Sequence, residues 1–221
     1  MDFLSILGRT VEILGTIAFA LSGSLVGIDR GLDFFGVMVL GVITAVGGGI
    51  TRDIILGNTP PAAFLDPTFV LIAVGMSVVC ILAFNQFAHF LTPEIMSKLM
   101  ISMKVLDALG LALFTVSGMN IAINMGFSEN PFLMVSVGVI TGVGGGLLRD
   151  IFVHKTPMIF KKNIYATASA IGGIVYYFCL NSMPQYAGML VGASVITAIR
   201  FIAMYKDINL PKFSKDDYYF D

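Results

Sequence analysis

Apolar residues run through this chain in long blocks, separated by short clusters of charge, glycine and proline. A bilayer-crossing helix needs about 20 largely apolar residues. On that measure the pattern predicts seven spans, at about 11–28, 34–56, 68–88, 103–125, 132–153, 164–181 and 184–204. The connectors carry Asp29-Arg30-Gly31, Pro60-Pro61 with Asp66-Pro67, Thr92-Pro93-Glu94, Ser128-Glu129-Asn130-Pro131 and Lys161-Lys162-Asn163. The turn before the last span, Asn181-Ser182-Met183-Pro184, holds no charge. Residues 1–204 are therefore read as one transmembrane domain, and the polar residues 205–221 as a short cytoplasmic tail. No cleavable leader is expected, because the apolar run 13–28 is followed by Asp29-Arg30-Gly31 and then by another apolar run.

The pattern is also duplicated. Residues 41–60 read GVITAVGGGITRDIILGNTP and residues 138–157 read GVITGVGGGLLRDIFVHKTP, identical at 13 of 20 positions. Upstream, Glu12, Gly15, Phe19, Ser22 and Gly23 match Asp107, Gly110, Phe114, Ser117 and Gly118 at an offset of 95. The offset is 97 from Gly47/Gly144 to Pro60/Pro157, and the two extra residues fall in the loop 128–131. Spans 1–3 (about 10–88) thus recur as spans 4–6 (about 103–181), leaving the seventh unpaired. Three is an odd number, so the second copy must enter the membrane from the opposite face, and the repeats are expected to be inverted. The expected fold class is an all-α membrane protein, two inverted three-helix repeats plus a seventh helix.

Composition sharpens this picture. Of 221 residues 57% are hydrophobic and 12% charged, about half the charge of an ordinary soluble domain; mean hydropathy is +0.89. Lipid is the partner that such a surface fits. A net charge of −1 and the lack of a basic arm give no sign of nucleic acid. Lysine and arginine bias sets the orientation. Arg30, Lys98, Lys104, Lys155, Lys161, Lys162, Lys206, Lys212 and Lys215 fall on one side and little beyond Arg9 on the other. The amino terminus is placed outside and the tail in the cytoplasm.

The candidate chemistry lies in the duplicated blocks. Gly47, Gly48 and Gly49, and again Gly144, Gly145 and Gly146, weaken a helix by about 1 kcal/mol each. They suit either close helix packing or a break whose freed backbone groups line a wet cavity. Their occurrence in both copies, each followed by Arg-Asp, favours the break. Arg52-Asp53 and Arg149-Asp150 are sequence neighbours, which do not face each other on a helix. Inverted symmetry then suggests Arg52 with Asp150 and Arg149 with Asp53, or bonds to freed carbonyls, as scaffold or gate. Glu12 and Asp107, at the expected starts of spans 1 and 4, suit helix amino termini or the acidic mouth of a cation path. Ser22, Thr44, Ser117 and Thr141 recur in matching places, as back-bonding hydroxyls or as groups lining the path. No phosphate-cradling loop, metal spacing or nucleophile–base set is present. His89 and His154 read as surface histidines, and Cys80 and Cys179 as small buried hydrophobes.

Two Gly-Gly-Gly-x-x-Arg-Asp blocks in spans 2 and 5 of a seven-span duplicated chain resemble the prokaryotic trimeric intracellular cation (TRIC) channels, over about residues 10–204. The resemblance implies a homotrimer in the cell's inner membrane, with a pore through each protomer conducting potassium as the permeant ion and no cofactor. It also implies that spans 2 and 5 kink at the glycine triplets, and that these kinks line the path. The same family domain has been labelled a glycine transporter, so a carrier for glycine or another small amino acid is the alternative. An enzyme is not expected.

Overall fold

The computed structural model describes residues 3–87, 92–161 and 164–208. His89, Lys162, Asn163, Lys212, Lys215 and the tail beyond Ile208 lie outside the described residues, as does the side chain of Lys161. Among the described residues are nine helices and no strand: α1 (Phe3–Asp29), α2 (Phe34–Ile55), α3 (Ala62–Leu65), α4 (Thr68–Phe87), α5 (Pro93–Asn124), α6 (Pro131–Phe152), α7 (Met158–Lys161), α8 (Ala166–Cys179) and α9 (Gln185–Tyr205). Six are long and apolar enough to cross a membrane. The sixth expected span is the exception. α8 has 14 residues, roughly 21 Å at 1.5 Å per residue, because bends at Ile164 and Tyr165 and a turn from Leu180 consume its ends.

α5 starts ten residues before the expected position 103, at Pro93. The Thr92 hydroxyl accepts the Ile95 N–H at 3.3 Å, and Glu94 stands in the first turn, where the helix dipole favours an acid. This extension moves Asp107 fourteen residues past the helix start at Pro93, and Glu12 lies nine past Phe3. The dipole's influence ends within the first turn, so helix amino termini do not explain either carboxylate.

α1, α2, α6 and α5 pack in a ring, each against the next. α4 lies on α1 and α2, α8 lies on α5 and α6, and the two repeats match helix for helix. α9 packs on α8 and α5 and has no counterpart. At the α1–α5 contact the repeated residues meet their own images. Phe19 and Phe114 stack at 5.2 Å between centroids. A Cβ on Gly110 would overlap the Phe19 ring, and one on Gly15 would stand 3.2 Å from the Phe114 ring.

The glycine triplets correct the expectation of broken helices. α2 and α6 run as continuous helix through Gly47, Gly48 and Gly49 and through Gly144, Gly145 and Gly146. What the glycines permit is contact between backbones. A Cβ on Gly48 would overlap the Thr141 carbonyl and one on Gly145 the Thr44 carbonyl, and a Cβ on Gly144 would come within 3.0 Å of Gly48 Cα. The low propensity of three glycines is thus offset by the packing that small residues allow between membrane helices.

Candidate functional site

The Arg-Asp pairs sit near the carboxyl-terminal ends of α2 and α6, where the chain leaves each helix for a connector. In the first repeat, Arg52 Nε donates to Asp53 Oδ1 at 2.9 Å, and Asp53 Oδ2 accepts the Ala62 N–H at 2.9 Å. In the second, Arg149 Nε donates to Asp150 Oδ1 at 3.0 Å, and Asp150 Oδ2 accepts the Met158 N–H at 3.0 Å. Each aspartate therefore orients its arginine with one oxygen and starts the short helix α3 or α7 with the other. At four residues each, these two helices are too short to leave a periodic signal in the sequence.

A second guanidinium nitrogen of each arginine, Nη1, reaches toward the carboxylate one helix away in the same repeat. Arg149 Nη1 lies 2.7 Å from Asp107 Oδ1 and donates to Ser22 Oγ at 2.7 Å. Arg52 Nη1 lies 3.6 Å from Glu12 Oε1, and Ser117 Oγ donates to that same oxygen at 3.0 Å. The expected cross-repeat pairs, Arg52 with Asp150 and Arg149 with Asp53, are replaced by pairs within each repeat. The reason is the reach of arginine, whose Nε can turn to its neighbour while the two Nη groups point elsewhere. Among the described side chains of the two clusters, Ser22 and Ser117 are the ones that bond across the repeats.

Thr44 and Thr141 stand apart from both clusters. Each donates to the carbonyl four residues back, Leu40 and Val137, at 2.6 Å. Their hydroxyls fill the notches at Gly23 and Gly118, where a Cβ would come within 2.5 Å of each Oγ1. They are buried packing groups at the α1–α2 and α5–α6 contacts. His154, at positive φ just past the end of α6, is exposed, as expected of a surface residue.

The two clusters differ in their surroundings. Arg52, Asp53 and Glu12 line a cavity of about 260 Å³ together with Thr16, Gly49 and Asn58. A second cavity, of about 490 Å³, shares Glu12, Phe69 and Ile121 with the first and extends to Arg9, Asp66, Asn120 and Gln185. At its rim, Arg9 and Asp66 approach to 3.5 Å, and Thr68 donates to Asp66 through both amide and hydroxyl. Those bonds hold the Asp66 carboxyl below the usual aspartate range. Arg52 and Asp53 are themselves only 6% and 1% exposed, so the contrast rests on the cavity and on Glu12, whose side chain is 22% exposed, whereas Arg149, Asp150, Asp107 and Ser22 are each at most 1% exposed.

Two residues beside the sealed cluster escaped the sequence reading. Tyr165 is 2% exposed, and its hydroxyl stands in the field of Asp107, Arg149 and Arg200. Arg200 of α9, also 2% exposed, lies 4.8 Å over the Tyr165 ring and donates to the Ile164 carbonyl at 2.9 Å. The available signal was a lone arginine inside the last apolar span, where a charge demands a partner. Among the described residues no group of three or more potential metal ligands occurs.

A duplicated all-helical membrane domain with an Arg-Asp cluster in each copy defines the class of protein, a multi-pass integral membrane protein. The family model described as "Glycine transporter" matches it twice, over residues 9–85 and 104–181. The chain is 41% identical over 210 residues to the inner membrane protein YadS of Escherichia coli, covering 94% of this chain and 96% of that one. It is similar to a crystal structure of a prokaryotic TRIC channel in 0.5 M KCl, with TM-score 0.82 and 34% identity over 93% of this chain and 100% of the other. It is likewise similar to a structure described under "Structural basis for conductance through TRIC cation channels", with TM-score 0.79 and 32% identity over 97% and 98% of the two chains. The chain belongs to the TRIC family.

Proposed function

We propose that this chain is a cation channel of the TRIC type, conducting potassium through a pore in each protomer of a homotrimer. The observation that carries the reading is the wet cluster of the first repeat. With its side chains ionised, Glu12 and Asp53 against Arg52 leave one net negative charge facing a cavity, and such a mouth concentrates cations. Gly49 lines the same cavity, which supports a path running beside one glycine triplet without any break in its helix. Potassium as the ion and the trimeric assembly are inferred from the likeness to TRIC channels of solved structure.

We place the amino terminus outside and the tail inside, on the lysine bias. The wet cluster then opens outward, the sealed one lies toward the cytoplasm, and the two three-helix repeats are inverted. Purified protein in liposomes tests the function directly. A potassium gradient should drive a current whose reversal potential follows that gradient, and unlabelled glycine should not compete. A second reading has its own support: one cluster open and its image closed is the arrangement that alternating access requires. A glycine carrier would show saturable counterflow of labelled glycine, with no potassium conductance.

A further inference from the structure

We infer that Arg200 of α9 is the positioning residue that keeps the inner cluster dry, so that the unpaired helix decides which of the two clusters is sealed. The two clusters carry the same charges. Glu12, Arg52 and Asp53 sum formally to −1, and so do Asp107, Arg149 and Asp150. An unbalanced charge is costly to bury in a membrane domain, and the first cluster remains in contact with a cavity. The second is fully buried, so a positive charge beyond its own arginine must balance it.

Arg200 supplies that charge. α9 has no counterpart, and the cation beyond the first cluster that shares a cavity with Glu12, Arg9, is exposed and paired with Asp66. The Arg200 guanidinium lies on the Tyr165 ring, and Tyr165 is the bridge inward. A Cβ built on Gly146 would lie 2.8 Å from the Tyr165 hydroxyl and 3.3 Å from Asp107 Oδ1, so the phenol stands against the carboxylate. The balance is electrostatic, without a continuous chain of hydrogen bonds. By strict geometry Asp107 Oδ2, the Tyr165 hydroxyl and Arg200 Nε all lack a hydrogen-bond partner among the described residues. Buried orphan groups of this kind take up water readily once the neutrality that excludes it is lost.

The test uses the full chain in proteoliposomes, with Cys80 and Cys179 replaced by alanine and Ser22→Cys as a reporter inside the sealed cluster. A membrane-impermeant methanethiosulfonate reagent is applied to each face separately. With Arg200 present, labelling should be slow from both faces. Arg200→Gln should accelerate it at least tenfold from one face, and Arg200→Lys, which retains a cation above the ring, should restore the slow rate. An unchanged rate in Arg200→Gln overturns the inference, as does failure of Arg200→Lys to restore it. Should Arg200→Gln not be recovered folded, Tyr165→Leu, which removes the seat of the guanidinium, must give the same acceleration, and a slow rate there overturns it. A parallel potassium-flux measurement, which should rise in Arg200→Gln, rests on the channel reading. A change in labelling without any flux in the parent protein rejects that reading and leaves the role of Arg200 standing.

Discussion

The first-repeat cluster and its second-repeat image contain the same chemistry and occupy opposite conditions. Each has an arginine held by its neighbouring aspartate, a carboxylate from the first long helix of its repeat, and a serine from the other repeat. In one, the arginine–carboxylate approach is 3.6 Å with the glutamate side chain 22% exposed; in the other it is 2.7 Å with the aspartate completely buried. Glutamate against aspartate is one difference, but the longer glutamate would be expected to reach its partner more easily. The larger difference is what lies behind each cluster: a cavity of about 260 Å³ behind the first, and Tyr165 with Arg200 behind the second. Internal duplication supplies two equal sites, and the element without a duplicate makes them unequal.

The sharpest way to break this comparison is to remove the carboxylate from each side. Asp107→Leu strands Arg149 in a buried site and should cost about 3–5 kcal/mol, read as a large fall in thermal unfolding temperature in detergent. Glu12→Leu, partly solvated and at a longer distance, should cost about 1 kcal/mol or less. Equal losses would show that the two clusters are equally buried.

The helix crossing comes next. Gly48→Leu and Gly145→Leu drive a side chain into a backbone carbonyl that has no room to yield, and should cost about 3 kcal/mol. Gly75→Leu is the control, because nothing lies within 4 Å of a Cβ there. Size-exclusion profiles and unfolding temperatures should separate the first two from the third. Normal profiles for all three would contradict the close contact of α2 and α6.

Pairing within repeats is checked by double-mutant cycles. Asp107→Leu with Arg149→Met should couple by about 1–3 kcal/mol, whereas Arg52→Met with Asp150→Leu should add within about 0.5 kcal/mol. The reverse ranking would restore the cross-repeat pairing. A smaller effect concerns conductance. Removing one negative charge from the wet mouth, by Glu12→Gln, should lower the local cation concentration about fivefold at low salt, since charges near 4 Å interact by about 1 kcal/mol in water. Flux should fall accordingly, and the deficit should shrink in about 1 M salt.

The smallest effect belongs to the rim. Asp66 is held ionised below the ordinary range by Thr68, so its contribution is complete above the unfolded aspartate value and is lost only as pH falls through the lower folded value. Unfolding temperatures of the parent and of Asp66→Asn should therefore run parallel between about pH 5 and 8 and converge only in stronger acid. Convergence already at neutral pH would mean that Thr68 does not hold the carboxylate.

Much of this architecture follows from residue order alone. The apolar blocks locate the long helices to within a few residues, except where α1 begins eight residues before position 11, at Phe3, where capping by Thr92 extends α5, and where bends and turns shorten α8. The duplication names the arginines, carboxylates and serines that meet, because image residues occupy image positions. Three-dimensional contact decided the rest. Helix propensity argued for breaks at the glycine triplets, yet the approach of Thr141 and Thr44 carbonyls to Gly48 and Gly145 makes an unbroken helix the better packed choice. The helical rule that neighbours do not face each other argued against Arg52 with Asp53, but a guanidinium with donors on several sides turns one of them sideways and keeps the others for the next helix. Sequence symmetry determined that there would be two matching clusters. Only the packing of α9 decided that one of them would be dry, because charge balance in a low-dielectric interior depends on every group that comes within reach, and Arg200 comes within reach of one alone.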